Sequence, residues 1–296
     1  MWPEAMTCAN GDQCVPDSWH CDGQRDRRDG SDEAGCAEPI LFAAIQFNLF
    51  SGLRSLKEDI LTATDKNQII NSIDYDLMDQ KVFWADLNSE SIKWISVDTK
   101  KEGTVVRGIN PSCVVVDWIG RNLYWTDGRS GQILAVQLIA VWRGKPEYTV
   151  VLDGGVNQPK ALALDPLNGL MYWSEVREKP QIEQVGMDGS SRQTLISQGL
   201  GWTTSIALDQ LSWKTFWSDD KFHCIGSANL DGTGISLTQI KNPFSVAVFE
   251  DEVFWSGTKT RTVQRMEKMT GKNRAVLIKH YGQPYGLKDS ITQSGI

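Results

Sequence analysis

The chain has 296 residues, 41% hydrophobic and 23% charged, an ordinary composition for a globular protein with enough length to bury a substantial core. Its net charge of −7 is uneven, because residues 1–36 hold eight Asp or Glu against three Lys or Arg. The rest is close to neutral with no basic stripe, which argues against nucleic-acid binding, and no apolar run approaches the roughly 18 residues of a membrane span.

The first residues, Met1-Trp2-Pro3-Glu4, lack the basic-then-apolar pattern of a secretory leader. Cysteine usage nevertheless points to an oxidising compartment: Cys8, Cys14, Cys21 and Cys36 crowd the N-terminal end, while Cys113 and Cys224 stand alone. Those last two are expected to be buried free thiols. Within the cluster, Asp22, Asp26, Asp32 and Glu33 place four carboxylates close together. Packed side by side they repel unless a hard cation with oxygen ligands neutralises them. Calcium suits that set better than zinc, which favours Cys and His ligands such as His20. A solvated acidic loop is the competing reading. An EF-hand loop is excluded because Arg27 stands where its glycine belongs and Gly and Cys flank the segment where helices should be.

From residue 41 onward the chain repeats. Phe83-Trp84-Ala85-Asp86, Tyr124-Trp125-Thr126-Asp127, Tyr172-Trp173-Ser174-Glu175, Phe216-Trp217-Ser218-Asp219 and Phe254-Trp255-Ser256-Gly257 share one pattern, with Trp residues 41, 48, 44 and 38 positions apart. In the first four, an Asp (Asp76, Asp117, Asp165, Asp209) precedes the Trp by eight residues and ends a β-rich run. Pro111 and Pro159 lead such runs, and Pro243 and Pro284 hold the same place where the Asp is missing. Each unit therefore reads as four short antiparallel strands joined by tight turns, the pattern of a propeller blade. A lone blade cannot bury both faces, so neighbours stack and the ring closes. Leu41-Phe42-Ala43-Ala44 is the expected place of a weak first copy, and Pro284-Tyr285-Gly286-Leu287 reads as an inner strand with nothing after it. Joining the two makes a sixth blade, with Ala44 and Gly257 in place of the motif Asp and the seam as the weakest interface. The fold class is all-β: a six-bladed β-propeller with a small N-terminal disulfide and calcium module. A β-sandwich does not keep the Asp-to-Trp spacing four times, and the strand alternation excludes an α-solenoid.

The aromatic motif resembles the YWTD (class B) repeat of the low-density lipoprotein receptor family, and residues 8–36 resemble its class A cysteine module. The resemblance implies calcium held by the side chains of Asp22, Asp26, Asp32 and Glu33 and the backbone carbonyls of Trp19 and Gln24. It also implies three disulfides, but Met1 and Arg27 occupy two of the six cysteine positions. Only Cys21–Cys36 keeps its partner, leaving a module of this size short of its usual staples. Ligand lysines in the family are caged by positions that fall here on Trp19, Asp22 and Asp26, with Gln24 replacing an acid. On the propeller, Trp202-Thr203-Thr204-Ser205 replaces the Trp-Pro-Asn-Gly of peptide-binding relatives, so Trp202 is either an exposed ligand contact or packed at a blade junction. His20, His223 and His280 are the candidates for pH-triggered ligand release.

The domain reading is a degenerate class A module over 1–37, the propeller over 38–290 and a tail over 291–296, with the family's growth-factor-like module missing between Cys36 and Ala37. The functional expectation is a ligand-binding part of an endocytic lipoprotein-receptor-like ectodomain that captures protein ligands in a calcium-dependent way. Expected partners are proteins with exposed Lys; the resemblance adds lipoproteins and a receptor chaperone. Expected location is the extracellular face of the plasma membrane or endosome, although this sequence carries neither leader nor span. A truncated or decoy splice product is the alternative. A propeller hydrolase needs metal-binding acids converging on the central channel, and no nucleophile elbow, HExxH or phosphate loop is present.

Overall fold

The computed structural model describes residues 5–7, 14–16, 26–31, 41–45, 48–51, 59–63, 70–176 and 178–289. Each repeat forms a four-stranded antiparallel sheet in which an inner strand pairs with the motif strand, followed by a third strand and an outer strand. Five such sheets, here blades 1 to 5, are built from uninterrupted chain. Their inner strands are Ile70–Asp76, Pro111–Asp117, Pro159–Asp165, Thr203–Asp209 and Pro243–Phe249. Their motif strands are Lys81–Asp86, Asn122–Asp127, Leu170–Glu175, Lys214–Asp219 and Glu252–Gly257. The continuous blades number one fewer than the sequence reading counts. The remaining four-stranded sheet, the seam sheet, takes its inner strand Pro284–Asp289 from one end of the propeller. Its other strands, Leu41–Ile45, Asn48–Ser51 and Asp59–Ala63, come from the opposite end. Its inner strand lies against those of both blade 5 and blade 1, so the ring closes around a central channel.

Local chemistry explains the repeat. Proline leads four inner strands because the first residue of a strand can do without its N–H. The Asp six residues later closes the turn: Asp117 Oδ1 accepts the Gly120 N–H at 2.8 Å and its Oδ2 accepts the Asn122 side-chain amide. Blade 5 has Phe249 there and only Glu250-Asp251 between its strands, so the shorter turn removes both the Asp and the eight-residue spacing. The five motif Trp residues are at most 1% exposed, and each packs against the sheet before its own. Trp217, for example, lies in one cluster with Ala161, Ala163 and Ile182 of blade 3. Gly226 faces Trp217 from the third strand, where an added Cβ would collide with the indole.

Two details depart from the sequence reading. In the seam sheet, Leu287 pairs with Ala43 and Pro284 with Ile45, as Val114 pairs with Trp125 and Pro111 with Asp127 in blade 2. The four motif positions are therefore Phe42, Ala43, Ala44 and Ile45. Ile45, not Ala44, stands in for the Asp, because without a Trp or a carboxylate nothing in the sequence marks the phase. Blade 2 also carries a short helix, Leu138–Trp142, that its long repeat accommodates. Trp142 stacks on Phe83 and donates its indole N–H to Asp79 at 3.0 Å, tying the insertion to blade 1. No helix of the described residues is long and apolar enough to cross a membrane.

Candidate functional site

Inner strands begin at one mouth of the channel, here the entry face, and end at the other, the exit face. Besides the motif Trp, one element of the repeat fixes the blades to each other. The third motif residue is a hydroxyl in blades 2 to 5, and it reaches the next inner strand. Thr126 donates to Lys160 O at 2.9 Å, Ser174 to Thr203 O at 3.3 Å, Ser218 to Phe244 O at 2.8 Å and Ser256 to Tyr285 O at 2.6 Å. Blade 1 has Ala85 instead, and Asn71 supplies the missing donor to Ser112 O at 2.8 Å. The motif carboxylates work within their blades: Asp127 binds the N–H groups of Asn110, Arg129 and Ser130. The motif is thus structural throughout, and the sequence signal for its hydroxyl was present in the motif itself.

Inside the channel, equivalent positions on the six inner strands carry Asp74, Val115, Ala163, Ala207, Ala247 and Lys288, all of which line it. The two charged ones are neighbours across the seam. Asp74 Oδ1 accepts from Lys288 Nζ at 3.1 Å and from its neighbour Tyr75 N, while Oδ2 accepts from Val116 N of blade 2 at 2.8 Å. One carboxylate therefore joins three consecutive sheets. Burial pushes the Asp74 carboxyl up from its ordinary value, against the pull of Lys288 and the two N–H donors. Burial also penalises the Lys288 charge, but Asp74 and Asp289 outweigh it and hold the amine above its usual range. Three donors on one carboxylate favour the ionised pair.

Glu175, the Glu variant of the motif acid, lies beside buried Glu183. Arg192 neutralises both, with Nε and Nη2 on Glu183 and Nη2 at 3.4 Å from Glu175, while its guanidinium covers the Trp173 ring. Burial, with Glu183 adding to it, raises the Glu175 carboxyl despite Arg192. Cys113 and Cys224 are free thiols, as expected. Burial pushes both up, Cys224 to about 11. No group of three or more His, Cys, Asp or Glu is placed to hold a metal among the described residues.

The sequence-predicted binding residues divide as follows. Trp202 is 53% exposed on the entry face, which settles its alternative in favour of a surface position. Thr204 is used internally, donating to Phe244 O at 2.6 Å. His223 Nδ1 lies 3.3 Å from the Asn242 amide, and His280 Nδ1 accepts the Gly282 N–H. The sequence reading missed Phe222, which follows the motif Asp of blade 4 and is also exposed. Asp219 Oδ1 accepts both the Trp202 and the Phe222 N–H, so these two rings emerge together. Of the acidic segment, 26–31 are described. Asp26 precedes a turn in which Arg27 is buried and gives Nη1 to Ser31 at 3.0 Å, and Asp29 caps the Ser31 N–H. Asp22, Asp32, Glu33, Trp19, Gln24, Cys21, Cys36 and His20 lie outside the described residues. As a donor set, these carboxylates and carbonyls are all oxygen, which fits a hard cation such as calcium.

Comparison with known proteins places these features. Residues 3–36 match the low-density lipoprotein receptor domain class A, and residues 169–210 the low-density lipoprotein receptor repeat class B. The chain is 28% identical over 205 residues to the vitellogenin receptor Yl of Drosophila melanogaster, a match covering 67% of the chain. It is 33% identical over 175 residues to a vitellogenin receptor of Solenopsis invicta, covering 58%. Each match spans 10% of the relative's own length. Among solved structures, a nidogen/laminin complex contains a chain that superposes with a TM-score of 0.79 at 22% identity, covering 86% of this chain and 99% of that one. A catalytically inactive virginiamycin B lyase from Staphylococcus aureus, solved with quinupristin, follows with a TM-score of 0.57 at 14% identity, covering 84% and 78%. These two likenesses establish the propeller fold; the second comes from an enzyme, so the fold by itself does not decide between binding and catalysis.

Proposed function

We propose that this chain, which belongs to the low-density lipoprotein receptor family, is a ligand-binding part of an endocytic receptor ectodomain. The class A segment at 1–37 captures protein ligands through exposed Lys in a calcium-dependent way. Asp22, Asp26, Asp32 and Glu33, with the carbonyls of Trp19 and Gln24, would hold the cation, and Trp19, Asp22 and Asp26 would receive the ligand lysine. The propeller, over 38–290, is the rigid platform for binding and release; counted with the seam sheet it has six blades. The observation that carries this reading is the joining of a class A match at 3–36 to a propeller in which the last three strands of blade 3 and the inner strand of blade 4 match the class B repeat. His223 and His280, whose Nδ1 atoms contact the Asn242 amide and the Gly282 N–H, are the described candidates for the release switch.

Calorimetric titration of the secreted chain with calcium, followed by binding of a lysine-rich protein probe with and without chelator, tests the reading. Asp26→Ala should abolish the calcium heat and the chelator-sensitive part of binding. A flat titration with Cys21–Cys36 formed, or probe binding indifferent to both chelator and Asp26→Ala, would remove the calcium-dependent role.

A further inference from the structure

We propose that Glu175, Glu183 and Arg192 form a proton-operated latch on the loop that joins blades 2 and 3, residues 153–158, and that acidification tightens it. The proposal goes beyond the reading given above and needs neither calcium nor a ligand.

Charge count is the first observation. Glu175 and Glu183 are buried at 6% and 3% exposure, and Arg192 is the one cation paired with them among the described residues. Two carboxylates and one guanidinium leave one negative charge over, in a place that water hardly reaches. The arrangement belongs to blade 3 alone. Opposite the motif Trp, the third strands of blades 1 to 5 carry Lys93, Leu134, Glu183, Gly226 and Gln264. In blade 1 the residue there, Lys93, matches the motif acid Asp86 one to one at 2.9 Å. In blade 3 the same position adds a second acid, and a proton is what removes the surplus charge.

The second observation is what the cluster holds. Glu175 Oε1 accepts the Asn157 N–H at 3.2 Å, and Arg192 donates to Gly154 O at 3.2 Å and Gly155 O at 2.9 Å. The loop makes no backbone–backbone hydrogen bond of its own among the described residues. Asp153, Gly154, Gly155 and Asn157 are exposed, and Val156 is its one buried side chain. Gly154 and Gly155 have φ of +63° and +74°, so the segment bends where the chain is least constrained. Closure of the loop therefore depends on three hydrogen bonds to two charged side chains.

Direction follows from linkage. Burial, the main influence on Glu175, raises its carboxyl, with the Asn157 N–H against it, Glu183 adding to it and Arg192 against it. In an open loop Glu175 meets water and loses that rise. The closed loop thus binds the proton better than the open one, and closure gains as pH falls through the closed-state value. With Glu175 neutral, Arg192 belongs to Glu183 alone and keeps its hold on the two glycine carbonyls. The other charges on the surrounding elements stand apart. Asp153, Glu178, Lys179 and Asp188 are exposed, and Arg177 lies outside the described residues. Asp127 and Arg129 of blade 2 are engaged by that blade's own turn and by Glu90, and Lys160 interacts with Asp220 of blade 4. Tyr148–Leu152 and residues 197–202 carry no charge, and Gln181, on both carboxylates, is neutral.

Hydrogen–deuterium exchange of the full chain tests the latch, read by mass spectrometry on the peptide over 153–158 and corrected for the intrinsic rate at each pH. Wild type should exchange there about three- to tenfold more slowly at pH 5 than at pH 7. Glu175→Gln keeps the shape without the charge, so it should show the slow exchange at both values. His223→Gln/His280→Gln should leave the wild-type pattern in place, and so should chelator, which separates the latch from histidine-driven release and from calcium-dependent capture. A peptide over Asn122–Asp127 in blade 2 reports whether each variant keeps its fold. Exchange at 153–158 as fast at pH 5 as at pH 7, a pH response that survives Glu175→Gln, or its loss in the histidine variant would overturn the proposal. If Glu175→Gln does not fold, the wild-type comparison decides alone.

Discussion

The junction between blades 3 and 4 and the junction across the seam do the same work with different chemistry. At the first, Ser174 hands a neutral hydrogen bond to the next inner strand and Trp217 of blade 4 packs against blade 3. At the seam, Ala44 has no hydroxyl, and the channel layer instead holds the ion pair of Asp74 and Lys288. A repeated neutral contact is equivalent at the four junctions that carry it and so cannot say which two sheets should meet. A single buried charge pair is satisfied only when Pro284–Asp289 lies beside Ile70–Asp76. The pair therefore specifies closure, the role for which buried ionic groups are best suited.

This comparison can be broken or sharpened by substitution. The largest effect is expected for Lys288→Ala, which leaves the buried Asp74 without its counter-charge and should cost about 3–5 kcal/mol in chemical denaturation. The double variant Asp74→Asn/Lys288→Met should recover much of that loss; if the single variant costs no more than an ordinary surface change, the pair is not the clasp. Next comes Arg192→Ala, a charge deletion away from the seam, at about 3 kcal/mol near neutral pH. Here the sign with pH is definite. A carboxyl whose folded value lies above its unfolded value holds its proton better when folded, so stability falls as pH rises through that interval. Glu175 is already raised, and losing Arg192 raises it further, so the deficit should shrink on acidification from pH 7 to pH 5. Thermal melts of both proteins at the two pH values decide it. Ser174→Ala should cost about 1–2 kcal/mol, because it unbridges Thr203 O and leaves the Ala161 N–H without its acceptor. The smallest change is expected from Ala85→Ser, which installs the hydroxyl that blade 1 lacks; a gain of at most about 1 kcal/mol in the same assay would show that Asn71 already covers most of the deficit.

How far the sequence could be read follows from what each feature leaves behind locally. The Asp-to-Trp spacing was legible because one turn length is kept from Asp76 to Trp84 and again from Asp209 to Trp217. It failed in blade 5 where the turn shortens, and it lost its phase at Phe42-Ala43-Ala44-Ile45 where the bulky and charged markers are gone. Trp202 was legible as a candidate because it stands where peptide-binding relatives carry the Trp of Trp-Pro-Asn-Gly. Phe222 was not, since a residue after a motif Asp reads as turn until Asp219 is seen to gather both loops. Asp74 and Lys288 come from opposite ends of the propeller sequence, and no periodicity links them. The acidic segment from Asp22 to Glu33 is the reverse case: its residues are adjacent in sequence, and composition alone makes the argument for a hard cation.

The pairing of Leu41 with Asp289 has a mechanical side. Both passages of chain cross the seam sheet at its exit-face end, next to each other. Tension that draws residue 41 away from residue 289 therefore loads the ladder at one end. The pairs part in succession, Asp289 from Leu41 and then Lys288 from Phe42, instead of sharing the load. The second of these pairs carries the lysine that holds Asp74. Under force the seam sheet is the fuse of the ring, and its clasp sits where the tear begins.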